Sequence, residues 1–422
     1  MTRGVHRVRL GQVPATLVDL SCEVTVASVH HGRDNADGQP EASTATIAVY
    51  GPVPDGADIG WSLEVWAGLE PPDTYAQRFG GTVTDISLAF DMGVDPESGR
   101  TIVRPYTEIT AASSIATLGR QYVGSEPWPD ELDGARVRRV LELCGITTAA
   151  IDPGTVTILG RDVDRQAALG LLQTVGDDAG GLLVNNRDGR LAYHDAEHRR
   201  AAVAALTIDA CQIRLTPRWV RDMSGLINEA AIGYGPVPEG GEQAVVTRTS
   251  TPSQAVYGRV AYYGGTQLAN VTDATNRAGA ILARSDRPVW NLTDLGIDVD
   301  TLTADELETL LTLELGALVG LTGMPLEAPD PAFACWLEGW SETLTLGGHD
   351  LVFAITAYCR TAPFPRWDDM PSSRTWDSMG DLTWDQAVCI GPIVSEGRWG
   401  DVSATLYWDD VDATITWDTW PY

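Results

Sequence analysis

The 422-residue chain contains no lysine; all 29 of its basic residues are arginine, against 58 acidic ones. Without lysine there is no Walker-type phosphate loop and no Schiff-base nucleophile. The net charge of −29 opposes nucleic-acid binding, which needs concentrated basic side chains against phosphate. No stable complex with nucleic acid is therefore expected. The six cysteines (Cys22, Cys144, Cys211, Cys335, Cys359, Cys389) lie far apart and form no Cys-x-x-Cys pair. That spacing argues against a zinc knuckle or a disulfide scaffold and reads as buried free thiols. Long apolar runs are missing too. The longest, near Leu310 to Leu321, is broken by Glu314 and several glycines, and stops short of the ~18 residues of a membrane span. Met1 to Leu10 carries Arg3, Arg7 and Arg9 with no apolar stretch behind them, unlike a signal peptide. A soluble chain made in the cytoplasm is expected. There is no Gly-x-Ser-x-Gly elbow and no dinucleotide fingerprint.

What is present is mostly strand pattern. Val5 to Leu10, Cys22 to Val26, Ala45 to Tyr50, Trp61 to Trp66 and Thr82 to Ile86 alternate apolar and polar residues with period two. Pro54-Asp55-Gly56 and Gly80-Gly81 punctuate them. The period then changes. Glu108 to Tyr122, Gly134 to Cys144 and Asp164 to Val175 carry apolar residues at helical spacing. Leu182 to Asn185 and Arg190 to Tyr193 flank Asp188-Gly189, a strong hairpin signal. Further strands are expected over 226–234, 244–249 and 350–358. Between them a helix over 272–284 presents Ala274, Ala278, Ile281 and Leu282. Another helix over 303–313 opens on the capping box Thr303-Ala304-Asp305-Glu306.

The last sixty residues differ in character. Seven of the fourteen tryptophans fall there, and five precede an aspartate: Trp367, Trp376, Trp384, Trp408 and Trp417. Their spacing is too short and uneven for propeller blades, which need ~40 residues each. Three uses fit such a segment: stacking on sugars, anchoring a protein interface, or filling the core of a small β-domain. These five are the candidate interaction residues.

One segment has the form of a catalytic motif. His194-Asp195-Ala196-Glu197-His198 matches the His-x-x-Glu-His pattern of a metallopeptidase class. That chemistry needs a helix, so that both imidazoles reach one zinc. Here the first histidine comes straight off a hairpin strand, and a polar strand end is the favoured reading. Asp34 to Gly38 and Asp298-Val299-Asp300 match calcium loops too poorly to count. No catalytic, cofactor-binding or metal-binding residue is assigned, and the chain reads as no enzyme.

The order of several segments carries a resemblance. Arg78-Phe79-Gly80-Gly81-Thr82-Val83-Thr84-Asp85 is followed by Leu118 to Gly124, Trp128-Pro129 and Arg136 to Leu141. Then come the hairpin Asp188 to Tyr193, the segments Asp273 to Ala278 and Leu282-Ala283-Arg284, and the Trp-Asp tail. This order resembles the minor tail proteins of long-tailed bacteriophages that infect actinobacteria, and among them the tail-tip or baseplate hub family. Arginine without lysine suits a GC-rich genome of that kind. The resemblance covers residues 1 to about 360 and implies an α+β, β-rich fold. Its parts would be a β-barrel-like hub domain (1–104), an α/β domain (105–205), a second barrel-like hub domain with helices (206–362) and a Trp-rich C-terminal β extension (363–422). It implies a homotrimer in the virion tail tip that adapts sixfold to threefold symmetry, with no cofactor. Its partners would be the distal tail protein, the tail tube, the tape measure protein, and receptor-binding fibre or spike proteins. The alternative is a virion-associated carbohydrate-binding or cell-wall-degrading tail protein.

Overall fold

The computed structural model describes residues 3–357, except 13–16, 35, 37, 55–56, 71–73, 95–100, 125–126, 200–203, 215–217, 240, 326–327 and 329–332. The five Trp-Asp tryptophans therefore lie outside the described residues.

A twelve-stranded sheet dominates the fold. Its first seven strands are β1 (Arg3–Gly11), β2 (Val18–Asp19), β3 (Val24–Gly32), β4 (Thr44–Tyr50), β5 (Ser62–Glu70), β6 (Thr74–Val94) and β7 (Thr101–Ala112). The α/β region follows, with α1 (Ser114–Leu118), α2 (Asp133–Leu143), α3 (Ala168–Ala179) and the hairpin β8 (Leu182–Asn185) and β9 (Leu191–His194). Strand β10 (Ala204–Asp209) rejoins the large sheet. Strands β11 (Glu229–Tyr234), β12 (Ala244–Thr249) and β13 (Ala261–Gly265) form a small separate sheet. Helices α4 (Thr251–Tyr257) and α5 (Val271–Ser285) accompany that sheet. The chain then forms β14 (Leu295–Ile297), α6 (Ala304–Thr312), β15 (Leu318–Thr322), β16 (Phe333–Thr345) and β17 (Gly348–Ala357).

The large sheet runs β10-β15-β16-β3-β4-β7-β6-β5-β1-β2, with β17 beside β16 and β14 beside β17. All its pairings are antiparallel except β10 with β15. It is curled, and the strand-rich α+β reading holds. Period-two patterning builds its core: Ala45, Ile47 and Val49 on β4 and Leu63, Val65 and Ala67 on β5 are all buried. Strand β16 is the organiser. One edge pairs with β17 along almost its whole length, and the other pairs first with β15 and then with β3.

A second core lies among α2, α3, the β8–β9 hairpin, the small sheet and α5. Helix α5 has Asn270 at its N-cap, accepting from the Asp273 N–H at 3.0 Å, and buries Ala274, Ala278 and Ile281 as its spacing predicts. Helix α6 has the expected capping box between Thr303 and Glu306.

Two expected helices are shorter than their patterns. Residues 108–112 belong to β7, because Thr107, Ile109 and Ala111 alternate into the sheet core, and helix forms only at Ser114–Leu118. Helix α3 starts at Ala168 rather than near Asp164. Gln166 and Ala167 pair with Val123 and Tyr122, and Arg165 takes a left-handed φ of 44° that interrupts a helix. The cysteines also need correction. Cys22, Cys144, Cys211 and Cys335 are free thiols, but only Cys335 is buried, while Cys22 and Cys211 are exposed.

Candidate functional site

The most concentrated chemistry sits on β16, where Trp336, Glu338, Trp340 and Glu342 are all buried. A register shift between Leu337 and Gly339 lets the Glu338 carboxylate meet two arginines. Arg33, just past β3, donates from Nε at 2.9 Å and Nη2 at 2.7 Å. Arg199, beyond the β8–β9 hairpin, donates to both carboxylate oxygens at 2.8 and 3.0 Å. Four residues on, Glu342 accepts from Arg78 Nε at 2.8 Å and contacts His349 Nε2 at 2.6 Å. Arg78 also donates to the Leu311 carbonyl at 2.8 Å, which ties α6 to the network.

Tryptophan rings cover these cations. Arg78 lies 4.5 Å above the Trp340 ring and Arg199 5.3 Å above that of Trp336. His31 stacks on Trp340 with centroids 4.1 Å apart. Burial pushes the Glu338 carboxyl up, but Arg199 and Arg33 outweigh it and hold its pKa at about 2. Glu342 is likewise raised by burial and pulled to about 2 by Arg78 and His349. Burial, then the Arg78 charge, lowers His31 to about 3, so its ring is neutral. Each carboxylate here meets an arginine, and both carboxylates are fully buried. The arrangement fixes the relative positions of β3, β6, β16, α6 and the segment after the hairpin.

A second junction meets the first. The turn Asp188-Gly189 touches Gly80 of β6 so closely that a Cβ at Gly80 would strike the Asp188 carbonyl, and one at Gly189 the Gly80 carbonyl. Gly189 also takes a φ of 83°, which favours glycine. Its carbonyl accepts from Ser114 Oγ at 3.0 Å and Asn185 Nδ2 at 3.1 Å. Arg187 pairs with Glu314 at 2.9 Å across the same seam. Two segments quoted separately from sequence, Arg78 to Gly81 and Asp188-Gly189, are thus one contact between the curled sheet and the α/β region.

Within the α/β region, buried Asp133 accepts from the Thr155 and Val156 N–H groups at 2.7 and 3.0 Å, and from the Tyr193 hydroxyl at 2.7 Å. Burial, then the Asp133 charge, pushes the Tyr193 hydroxyl well above its ordinary value. Glu131 gathers Arg136 and Arg139. Burial raises its carboxyl, and the two arginines bring it below its usual value.

The metallopeptidase-like segment has the wrong shape for zinc. His194 ends β9, and residues 195–198 form a turn held by Asp195 rather than a helix. The two imidazoles stack face to face at 3.7 Å and 5°, so their nitrogens do not converge on one point. His198 Nδ1 meets Asp152 Oδ2 at 2.8 Å. Burial, then His198, lowers His194 to about 4. Asp34 is an exposed bend residue, and Asp298 precedes a single 3₁₀ turn, Val299–Thr301.

No protein-family model and no curated protein matches the sequence. Several solved structures do share the fold. A 43 kDa tail protein of prophage MuSo2 from Shewanella oneidensis superposes with a TM-score of 0.57 at 10% identity, covering 85% of this chain and 98% of that one. A tail protein from Neisseria meningitidis MC58 gives 0.58 at 11% identity, with the same coverage. A prophage tail protein from Listeria monocytogenes EGD-e gives 0.50 at 11% identity, covering 82% of this chain and 94% of that one. The described chain has the fold of prophage tail proteins.

Proposed function

We propose that this chain is the hub at the tip of a long-tailed phage, built as a homotrimer that closes the tail tube and carries the receptor-binding parts. The observation that carries this reading is the shared fold, which spans 98% of two prophage tail proteins. The β16 network supports it. Its charges are paired and buried, which suits a part that must hold shape under load rather than turn over a substrate.

In this reading two strand-built modules, 1–104 and 206–362, repeat around a threefold ring as six similar units. That count lets a trimer sit beneath a sixfold tail tube and above a threefold spike. The α/β segment 105–205 decorates the ring, and the extension 363–422 anchors neighbours through Trp367, Trp376, Trp384, Trp408 and Trp417. The distal tail protein, tail tube and tape measure protein lie above, and fibre or spike proteins below. The virus infects a host with a GC-rich genome, of the actinobacterial kind. The acidity has a use there: an acidic lumen repels DNA, so the genome slides through without adhering.

Electron microscopy of particles labelled on this chain tests the proposal. The expected result is label at the tail tip at three copies per virion. Label along the shaft or on the head, or a copy number that is not a multiple of three, overturns it. Deleting residues 363–422 addresses the glycan-binding alternative: a hub keeps its oligomeric state, whereas a glycan binder loses cell-wall affinity.

A further inference from the structure

The chain has six histidines, and all six lie on or beside the seam that β16 closes. His30 and His31 of β3 stand in register with Ser341 and Trp340 of β16. His349 of β17 meets Glu342 of β16, and His6 of β1 is close enough to feel the His349 charge. His194 and Arg199 border Gly316, whose N–H donates to the Leu337 carbonyl of β16 at 2.8 Å. His198 stacks on His194.

The six are of two kinds. His349 and His198 each meet a carboxylate, Glu342 at 2.6 Å and Asp152 at 2.8 Å. His30 pairs with Ser341 at 3.1 Å, with Asp34 3.9 Å away. His6, His31 and His194 differ. Nε2 of His6, both ring nitrogens of His31 and Nδ1 of His194 are buried and make no hydrogen bond among the described residues. Their nearest charges are mostly cations. His31 stacks on Trp340 and feels Arg78 of β6 and His30 of its own strand, with Glu342 of β16 and the Asn185 backbone of β8 acting the other way. His6 faces His349 of β17 and the backbones of Val24 and Thr345. His194 lies against His198 at 3.7 Å and feels Arg199, with Asp152 opposing them.

A proton on any of these three rings adds a buried positive charge beside another, with no water to screen it. We propose that His6, His31 and His194 make this seam a proton-sensitive seal: mild acid charges them against His349, Arg78 and the His198–Arg199 pair, and frees β3 and the hairpin segment from β16. Burial, above all, holds the three rings below an imidazole's ordinary 6.5 while the seam is shut. Such a ring costs the sealed state nothing above 6.5 and destabilises it as pH falls below that value. Glu338 and Glu342, held at about 2, stay ionised through this window. In an open seam each ring titrates at its ordinary value. Going from pH 7 to pH 5 then multiplies the opening constant by about 25 for each ring that is neutral when sealed.

Hydrogen exchange of the full chain, read by mass spectrometry at pH 7 and pH 5 and corrected for intrinsic rates, tests the seal. The expected result is a loss of protection of about 25-fold or more in peptides from β3 and β16, with β11 and α5 unchanged. In H31F the ring still stacks on Trp340 but takes no proton, and the pH factor in β3 shrinks about 25-fold. Equal wild-type protection at the two pH values, a loss as large in α5 as in β3, or a folded H31F that keeps the wild-type factor overturns the proposal. Where H31F does not fold, H194F is measured in the same way at β16, and an undiminished factor there overturns it. The seal needs only one chain, so its failure leaves the hub reading untouched.

Discussion

Replacing Glu338 by glutamine removes one negative charge and little volume. It leaves Arg33 and Arg199, 9% and 14% exposed, facing each other over a fully buried amide. Breaking a buried ion pair from one side costs about 3–5 kcal/mol, because the remaining charge loses its compensation. An independent route gives a similar magnitude. The carboxyl falls from 4.5 to about 2 on folding, and at ~1.4 kcal/mol per pH unit that is about 3 kcal/mol. The sign follows from the lowered value: the stabilisation is complete above the unfolded carboxylate value near 4.5 and is lost as pH falls toward about 2. In a domain this large, E338Q should lower Tm at pH 7 by roughly 4–7 °C in differential scanning calorimetry. It should also flatten the acid limb of the stability profile, with Glu342 supplying what remains. A Tm within two degrees of wild type at pH 7, or an unchanged acid limb, refutes the reasoning.

Two further outcomes follow from the same contacts. Gly80→Ala pushes a Cβ into the Asp188 carbonyl, so the hairpin must move off the sheet. The expected cost is about 2 kcal/mol or more, read as faster proteolysis within residues 186–190 and a lower denaturant midpoint; unchanged cleavage refutes the close approach. Thr303→Ala removes the hydroxyl that caps α6 and should cost about 1 kcal/mol in guanidinium unfolding with an unaltered m-value. A loss under a few tenths would mean that α6 is held by packing alone.

Alternation over Ala45 to Tyr50 and Trp61 to Trp66 foretold which face of the sheet is buried, because side-chain direction in a strand is fixed by parity. Asp188-Gly189 foretold its hairpin, and Thr303 to Glu306 its helix start, because both depend only on near neighbours. Residues 108–118 were ambiguous. Ile109 and Ala112 fit a helix as well as Ile109 and Ala111 fit a strand, and only the sheet decides between them. Trp336 to Glu342 escaped notice because two glutamates in an alternating strand read as a solvent face. Their arginines lie 139 to 305 residues away, so no local pattern reveals that the charges are paired. The available hint was the alternation of acid with tryptophan, a residue seldom placed beside water without reason. The hairpin strand expected to lead into His194 is present, and residues 195–198 follow it as a turn.

The pairing of β3 with β16 has a consequence for synthesis. His30 and Ser341 are 311 residues apart yet adjacent in the finished sheet. A ribosome adding roughly 5–20 residues per second needs about 15–60 s to cover that distance. Throughout that interval β3 waits with one edge bare. The N-terminal strands therefore depend on protection by chaperones or by their own early partners, and such distant closure is slow. A product truncated before β16 lacks the partner strand and so never seals this sheet.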